Sequence, residues 1–383
     1  MKYRKVKKTG EEISILGFGC MRFPQKDGQI DEVKAAKQLK HAIDNGVNYL
    51  DTAKPYHGGK SEPFVGKFLK DNGLRDKIFL ATKLSSWYIN EEYSMQDHFD
   101  QQLKELQTDY IDYYLVHALN RSSWDKMKSL GVLEFIDKLL AEGKIKYAGF
   151  SFHGNIEVFK EIIDAYDWKF CQIQFNILDE NYQAGLEGYH YAIERNISVI
   201  AMEPLRGGKL AVEPPESVKK LYKDTGKDWT QVEWALRWVW NFTGIFTLLS
   251  GMTEDEHIEE NLKIADQAEI NTLTEDDLTT IKKVADTYKS LQQVGCTGCM
   301  YCLPCPYGVS IPSCFEHLNS KFLYNDDKYY KFYKMFVGDK GKASNCVECG
   351  ECVPKCPHGI NIPVELKKVA AEFDSRPDWE EKK

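Results

Sequence analysis

The chain is predicted to be an α/β protein: a closed (β/α)8 barrel followed by a smaller α-helical domain rich in cysteine. Three observations lead there. Eight short apolar runs alternate with helical periodicity between residues 17 and 267, the number and order of a closed parallel barrel. No G-x-G-x-x-G follows an early strand, as the phosphate loop of the alternative, an open doubly wound sheet, requires. Nine of the eleven cysteines fall between Cys296 and Cys356.

The totals agree with two folded parts. A chain of 383 residues with 43% hydrophobic and 13% aromatic content has an ordinary globular composition and is longer than most single cores. A net charge of -8 argues against a nucleic-acid surface as the main partner, because phosphate binding needs clustered Lys and Arg, and leaves room for a local basic patch. The start, MKYRKVKKTGEEISILGFG, lacks a signal-peptide apolar stretch, and no window approaches the ~18 apolar residues of a membrane span. The expectation is a cytoplasmic protein with no membrane partner.

A hairpin is predicted over residues 2 to 14, then strands at Gly17–Met21, Tyr49–Asp51, Ile78–Thr82, Ile111–Val116, Tyr147–Phe150, Cys171–Gln174, Ser198–Met202 and Phe246–Ser250. Between them DEVKAAKQLKHAIDNG reads as a helix opened by Asp31 and stopped by Gly46, and SSWDKMKSLGVLEFIDKLLAEG as one closed by Gly143. Thr274 and Asp277 stand at capping-box spacing at the head of a bridging helix. The expected division is a barrel over 1–270, the bridging helix within 271–294 and the cysteine-rich domain over 295–383. Cys20, Cys171 and Cys314 are expected to fill core space.

Barrel chemistry sits at the C-terminal ends of the strands. There Asp51 ends VNYLD with Tyr56 five residues on, Lys83 ends IFLATK and His117 ends IDYYLVH. Singly, each has a bland reading as a cap or a core residue. Jointly they form a chemically complete set: Lys83 lowers the Tyr56 hydroxyl, Asp51 keeps Lys83 charged, and His117 holds a carbonyl oxygen for protonation by Tyr56. Such a set suits hydride delivery to an aldehyde or ketone.

In DTAKPYHGGKSE, LATKL and YYLVHAL the chain resembles the aldo-keto reductases over roughly residues 1 to 267. The resemblance implies a (β/α)8 TIM barrel that binds an extended nicotinamide dinucleotide, NAD(P)(H), without a Rossmann unit. It makes Tyr56 the general acid/base, Lys83 and Asp51 its tuning pair and His117 the substrate orienter. Ser151 and Gln174 stand where the family grips the nicotinamide amide, although Phe152 and His153 follow where an asparagine is common. Met202 occupies the place of a stacking tyrosine. Pro204, Leu205, Arg206, Gly207, Gly208 and Lys209, in PLRGGKL, follow the seventh strand, where barrels bind phosphate; the rival reading is a tight loop with solvated charges. Glu260 and Asn261 match the adenine end, and Gly251 and His257 stand where NADPH-preferring members carry a lysine and an arginine for the 2'-phosphate. Glu254, Asp255 and Glu256 nearby repel a 2'-phosphate, which leans the expectation to NADH over NADPH.

CTGCMYCLPCPYGVSIP from Cys296 and CVECGECVPKCPHGINIP from Cys346 form an internal repeat, the second with one more residue before its last cysteine. Dense cysteine in a cytosolic chain points to metal, and three at successive x2 spacings suit a cluster better than zinc. The second copy resembles bacterial two-cluster ferredoxins. That resemblance implies two [4Fe–4S] centres with crossed fourth ligands: Cys296, Cys299, Cys302 and Cys356 on one, Cys346, Cys349, Cys352 and Cys305 on the other. The shortened first copy keeps a single cluster as the rival. Between the copies, KFLYNDDKYYKFYKMFVGDKGK interleaves aromatics and lysines; the favoured reading over a nucleic-acid or partner surface is an aromatic face that pads the cysteine-rich domain against the barrel, with the lysines as its wet side.

The expected activity is reversible, NAD(P)H-dependent reduction of a small carbonyl compound, or oxidation of the alcohol, in anaerobic metabolism. Clusters carry single electrons whereas nicotinamide delivers a hydride. They therefore relay electrons to ferredoxin or another carrier, serve as structural staples, or report redox state. The alternative is an electron-transfer or docking subunit whose barrel does not turn over.

Overall fold

The computed structural model describes residues 1–375, so the last eight residues of the expected 295–383 domain lie outside the described residues. The chain divides into two compact units, Met1–Leu205 with Glu233–Leu273, and Arg206–Val232 with the chain from Thr274 onward.

The first unit is the barrel. Its strands are β1 (Leu16–Gly19), β2 (Tyr49–Asp51), β3 (Phe79–Leu84), β4 (Ile111–Leu119), β5 (Ile145–Phe152), β6 (Phe170–Gln174), β7 (Ser198–Met202) and β8 (Ile245–Ser250). They close in the order β6-β7-β8-β1-β2-β3-β4-β5, and every neighbouring pair is parallel. An interior filled by side chains is what an eight-stranded barrel of this kind requires. Here it is aromatic: Tyr113 lies 5.2 Å from Tyr49 and 5.0 Å from Phe170, centroid to centroid. Glycine makes the room for them. A Cβ on Gly149 would stand 2.6 Å from the Phe170 ring, and one on Gly17 would meet Leu249 at 2.9 Å and Tyr49 at 3.3 Å. The N-terminal hairpin, Tyr3–Lys5 with Glu12–Ser14, adds Val6 and Ile13 to this aromatic cluster. It thereby closes the barrel's lower end.

The helices between the strands are α1 (Glu32–Asp44), α2 (Ser61–Asp71), α3 (Met95–Leu106), α4 (Arg121–Ser129), α5 (Val132–Ala141), α6 (Ile156–Asp164), α7 (Gly185–Glu194), α8 (Glu216–Lys223), α9 (Gln231–Trp240) and α10 (Asp255–Gln267). As expected, α1 starts at Asp31, whose carboxylate accepts from the Lys34 amide at 3.1 Å, and Gly46 follows its end with φ 99°. The pattern read as one helix closed by Gly143 is two, α4 and α5, parted at Gly131 with φ 76°. Glycine takes that left-handed conformation without steric cost, and the periodicity continues across it.

The second unit holds α8, α11 (Glu275–Leu291), α12 (Ile311–Tyr324), α13 (Lys328–Phe336) and, after a four-residue turn at Gly338–Gly341, α14 (Ile362–Val369). Thr274 and Asp277 form the reciprocal cap that opens α11, at 3.2 and 2.9 Å. Cys314 is fully buried, as are Cys20 and Cys171. On α13, Tyr330 and Tyr333 turn into this unit's own core, Tyr333 stacking on Phe373 at 4.5 Å. Among the described residues no helix is long and apolar enough to cross a membrane.

A Cβ on Gly66 of α2 would stand 2.5 Å from backbone atoms of Glu105 and Leu106 at the end of α3. Backbone cannot rotate aside, so Gly66→Ala should lower the barrel's stability in urea by about 1–3 kcal/mol. An unchanged midpoint would mean that α2 and α3 can part freely.

Candidate active site and cysteine cage

Parallel register brings the four polar residues together. Asp51 pairs with Ala81 across β2 and β3, and Lys83 with Leu115 across β3 and β4, so the strand ends carrying Asp51, Lys83 and His117 are consecutive. The Lys83 ammonium donates to Asp51 Oδ1 at 2.6 Å, to the Thr52 carbonyl at 2.8 Å and to the Tyr56 hydroxyl at 3.2 Å. Lys83 is wholly buried and Asp51 is 2% exposed. Tyr56 leads a short turn, Tyr56–Gly59, and its ring stands edge-on to His117 at 6.2 Å. His117 lies where the β4–β5 register slips, beside Ala118 at φ 50°; such a bulge re-aims a side chain. The predicted end of the fourth strand at Val116 is therefore corrected to Leu119.

Burial dominates the electrostatics. It pushes Asp51 above the usual carboxylate range although Lys83 pulls it down. It holds the Tyr56 hydroxyl well above its ordinary value, with the Asp51 charge adding to the rise and Arg22 opposing it. The expectation that Lys83 brings the resting phenol down is thus corrected: desolvation of a phenolate outweighs a nearby cation. Burial, then Lys83, keeps His117 well below the usual imidazole value, so its ring is neutral. Its Nδ1 lies 2.8 Å from the Ser85 hydroxyl.

Two charged residues escaped the sequence reading. Arg22, the first charge beyond β1, lies against Gly251, where a Cβ would come within 3.0 Å of it; the strand-end rule, applied to the first strand, finds it. Glu62, in the same SE that carries the family resemblance, is 1% exposed. It accepts from Thr82 Oγ1 at 2.5 Å and Gln102 Nε2 at 2.7 Å, and Gln102 also donates to the Lys83 carbonyl at 3.0 Å. Burial lifts Glu62 to about 7.

The cofactor candidates are spread more widely. Ser151 accepts from the Ala118 amide at 2.7 Å. Gln174 donates to Asp179 at 2.7 Å, while its Oε1 is buried with no hydrogen-bond partner among the described residues. That orphaned acceptor fits a carboxamide N–H. Met202 is half-buried and takes a contact from Gln172 Nε2 at 3.5 Å. Pro204 and Leu205 follow β7 in the first unit. Arg206, Gly207, Gly208 and Lys209 fall in the second, with Arg206 donating to Gln292 Oε1 at 2.5 Å and Lys209 to the Cys296 carbonyl. Gly251 and His257 are exposed, the imidazole accepting from the Glu254 amide at 3.3 Å. Glu260 and Asn261 lie on α10, and Asn261 donates to Ser250 Oγ at 2.8 Å. The nearby carboxylates are not bare: Glu254 meets Lys34 at 2.5 Å and Asp255 meets Lys37 at 3.7 Å.

In the second unit the cysteines gather in two sets. Burial, then Cys299, Cys296 and Cys356, push Cys302 up to about 12. Burial, then Cys346, Cys349 and Cys305, raise Cys352. These are the crossed sets implied by the ferredoxin resemblance. The repeat is also conformational. Gly298 and Glu348 have φ 73° and 59°, and Met300 and Gly350 have φ 66° and 79°, so the two loops turn at the same positions of the repeat. The Gly298 amide donates to Cys296 Sγ at 3.4 Å. Cys305, Cys346, Cys349 and Cys352 line one small pocket together with Pro304, Ile311 and Leu366. Among the described residues no three His, Cys, Asp or Glu side chains converge to hold a single metal ion; a cubane does not need this, since each thiolate binds its own iron. The donor set fits [4Fe–4S] chemistry.

Glu62 yields a pH test. Its carboxyl sits near 7 when folded, against 4.5 ordinarily, so the native state binds the extra proton. The stability from that proton is full below about 4.5 and is lost as pH rises through about 7. Urea titrations should find wild type losing on the order of 3 kcal/mol relative to Glu62→Gln between pH 5 and 8. Parallel pH slopes would rule out a proton on Glu62.

Comparison with known proteins follows these features. The aldo/keto reductase family profile matches residues 15–286, and that of a 4Fe-4S dicluster domain matches residues 295–360. The uncharacterized oxidoreductase YqkF of Bacillus subtilis is 27% identical over 76% of this chain and 99% of its own. L-galactose dehydrogenase of Arabidopsis thaliana is 26% identical over 75% and 95%. The aldo-keto reductase AKR11C1 of Bacillus halodurans, in its holo form, superposes with a TM-score of 0.62 at 29% identity, over 74% of this chain and 96% of its own. The chain belongs to the aldo/keto reductase family and carries a C-terminal 4Fe-4S dicluster domain.

Proposed function

We propose that the protein is a nicotinamide-dependent oxidoreductase that reversibly reduces a small aldehyde or ketone, with Tyr56 as general acid/base. The observation that carries this reading is the Lys83 ammonium, held between the Asp51 carboxylate and the Tyr56 hydroxyl in a buried site. Nicotinamide, when bound, supplies a hydride to the carbonyl carbon. Tyr56 gives its proton to the carbonyl oxygen, so that the C=O becomes CH–OH. The phenolate left behind lies beside Lys83, which lowers the cost of that charge at the moment it forms. With Ser85 donating to Nδ1, neutral His117 carries its proton on Nε2 and offers it to the same oxygen. In reverse, the phenolate takes the alcohol proton.

The dinucleotide reading rests on Ser151, the orphaned acceptor of Gln174 and Met202 for the nicotinamide, Arg206–Lys209 for phosphate, and Gly251, His257, Glu260 and Asn261 for the adenine end. The lean to NADH loses its footing, because Lys34 and Lys37 offset the carboxylates that would repel a 2'-phosphate. Both dinucleotides stay within the proposal. So do two [4Fe–4S] clusters, held by Cys296, Cys299, Cys302 and Cys356 and by Cys346, Cys349, Cys352 and Cys305. The proposal further includes ferredoxin or another one-electron carrier as partner, the division at 270 and 294, and cytoplasmic location in an anaerobe.

Anaerobic assays with NADH and NADPH against a panel of aldehydes and ketones should give Tyr56→Phe a rate at least about 100-fold below wild type. Because the phenol titrates above its ordinary value and His117 below its own, reduction should be flat from about pH 6.5 to 9. Equal slow rates in both proteins would leave the electron-transfer subunit as the reading. Iron and sulfide analysis should find about eight of each per chain; about four would leave a single centre.

A further inference from the structure

We propose that Lys209 couples the charge of the cysteine cage around Cys296 to the grip on a dinucleotide's phosphates, so that an electron added to the cage loosens the dinucleotide. The inference rests on the reading that Arg206–Lys209 hold those phosphates.

The segment after β7, Arg206–Val232, belongs to the same compact unit as the cysteines. Both of its leading cations are tied to the few residues that enter the first cysteine loop. Arg206 donates to Gln292 Oε1 at 2.5 Å, and Gln292 Nε2 donates to the Val294 carbonyl at 2.6 Å. Lys209 goes one step further and donates to the carbonyl of Cys296 itself. Its charge therefore stands within one residue of a thiolate of the set formed by Cys296, Cys299, Cys302 and Cys356.

A lysine ammonium is a compact point charge with three donors, so it can serve a carbonyl and a phosphate oxygen together. Four thiolates on a [4Fe–4S] core make an anion, and a one-electron donor such as dithionite adds one further negative charge without moving an atom. At this separation, inside protein, that charge draws Lys209 more strongly toward the cage. An ammonium drawn toward the cage moves off the phosphates, and its attraction for them falls with the added distance. Binding free energies are reciprocal, so a dinucleotide occupying Lys209 must also make the cage harder to reduce.

The test uses the full chain with clusters loaded, prepared anaerobically. The probes are ADP-ribose and its 2'-phosphorylated form, which keep the pyrophosphate and cannot accept hydride. Affinity is read by calorimetry in the oxidised protein and after reduction with dithionite. Wild type should bind about tenfold more weakly when reduced, and saturating probe should lower the midpoint potential of one cluster by about 59 mV. With iron content matched, Lys209→Gln should bind more weakly than wild type when oxidised and equally in both states, whereas Lys209→Arg should keep the coupling. Equal affinities in the two states of wild type would overturn the proposal. So would a tenfold ratio that persists in Lys209→Gln, since the field would then act without the lysine. If Lys209→Gln binds as tightly as oxidised wild type, the phosphate reading itself is wrong.

Discussion

The site depends on an ion pair taken out of water. Asp51 and Lys83 are joined at 2.6 Å where essentially no solvent reaches. Such a pair is costly to bury, and removing either partner leaves an isolated charge that costs more. The barrel meets this cost with geometry: adjacent parallel strands place the two side chains side by side, and the Thr52 carbonyl takes another ammonium proton. The same exclusion of water that makes the pair expensive strengthens its hold on any charge formed at Tyr56.

Behind that pair lies a layer that sets the end of β3. Gln102 reaches from α3 to the Lys83 carbonyl and to Glu62, and Tyr114 donates to Gln102 at 2.9 Å. His98, driven down to about 4 by burial, approaches the Lys83 carbonyl at 3.3 Å. Lysine is a long side chain with much rotamer freedom to lose, so fixing its backbone through two contacts from α3 limits where the ammonium can go. The polar network is therefore part of the active site's stiffness.

The second unit applies a different principle. Its cysteine loops pack against an apolar core that includes Val309, Ile311, Phe315 and Leu366, and left-handed residues bend the first loop so that the Gly298 amide reaches Cys296 Sγ. Burial and the neighbouring cysteines push Cys302 up, so its thiolate, the form that binds metal, is disfavoured until a cation offsets the charge. Iron held by such a 4Fe-4S domain would supply that cation, which would join metal binding and folding of these loops in one equilibrium.

Much of this was written in the local chain. The alternation of eight apolar runs, the order Asp51, Tyr56, Lys83, His117 and the repeat from Cys296 to Cys346 are properties of spacing, and spacing survives without coordinates. That Cys356 neighbours Cys302 and Cys305 neighbours Cys352 was likewise implied by the ferredoxin-like spacing of the cysteines. Tertiary structure alone decided what depends on burial and on distant neighbours. The break at Gly131 hides in a periodicity that runs through it, and the lengthening of β4 past His117 comes from a register slip with β5. The phenol of Tyr56 is raised rather than lowered, because desolvation is set by the whole barrel and not by the nearest cation. Glu254 and Asp255 look like bare charges in sequence and meet lysines from α1 over two hundred residues away. The loop after β7 reads as barrel by position, yet packs with the cysteines. Sequence carries chemistry that acts along the chain; solvent exclusion and charge pairing act through space, and only the fold contains them.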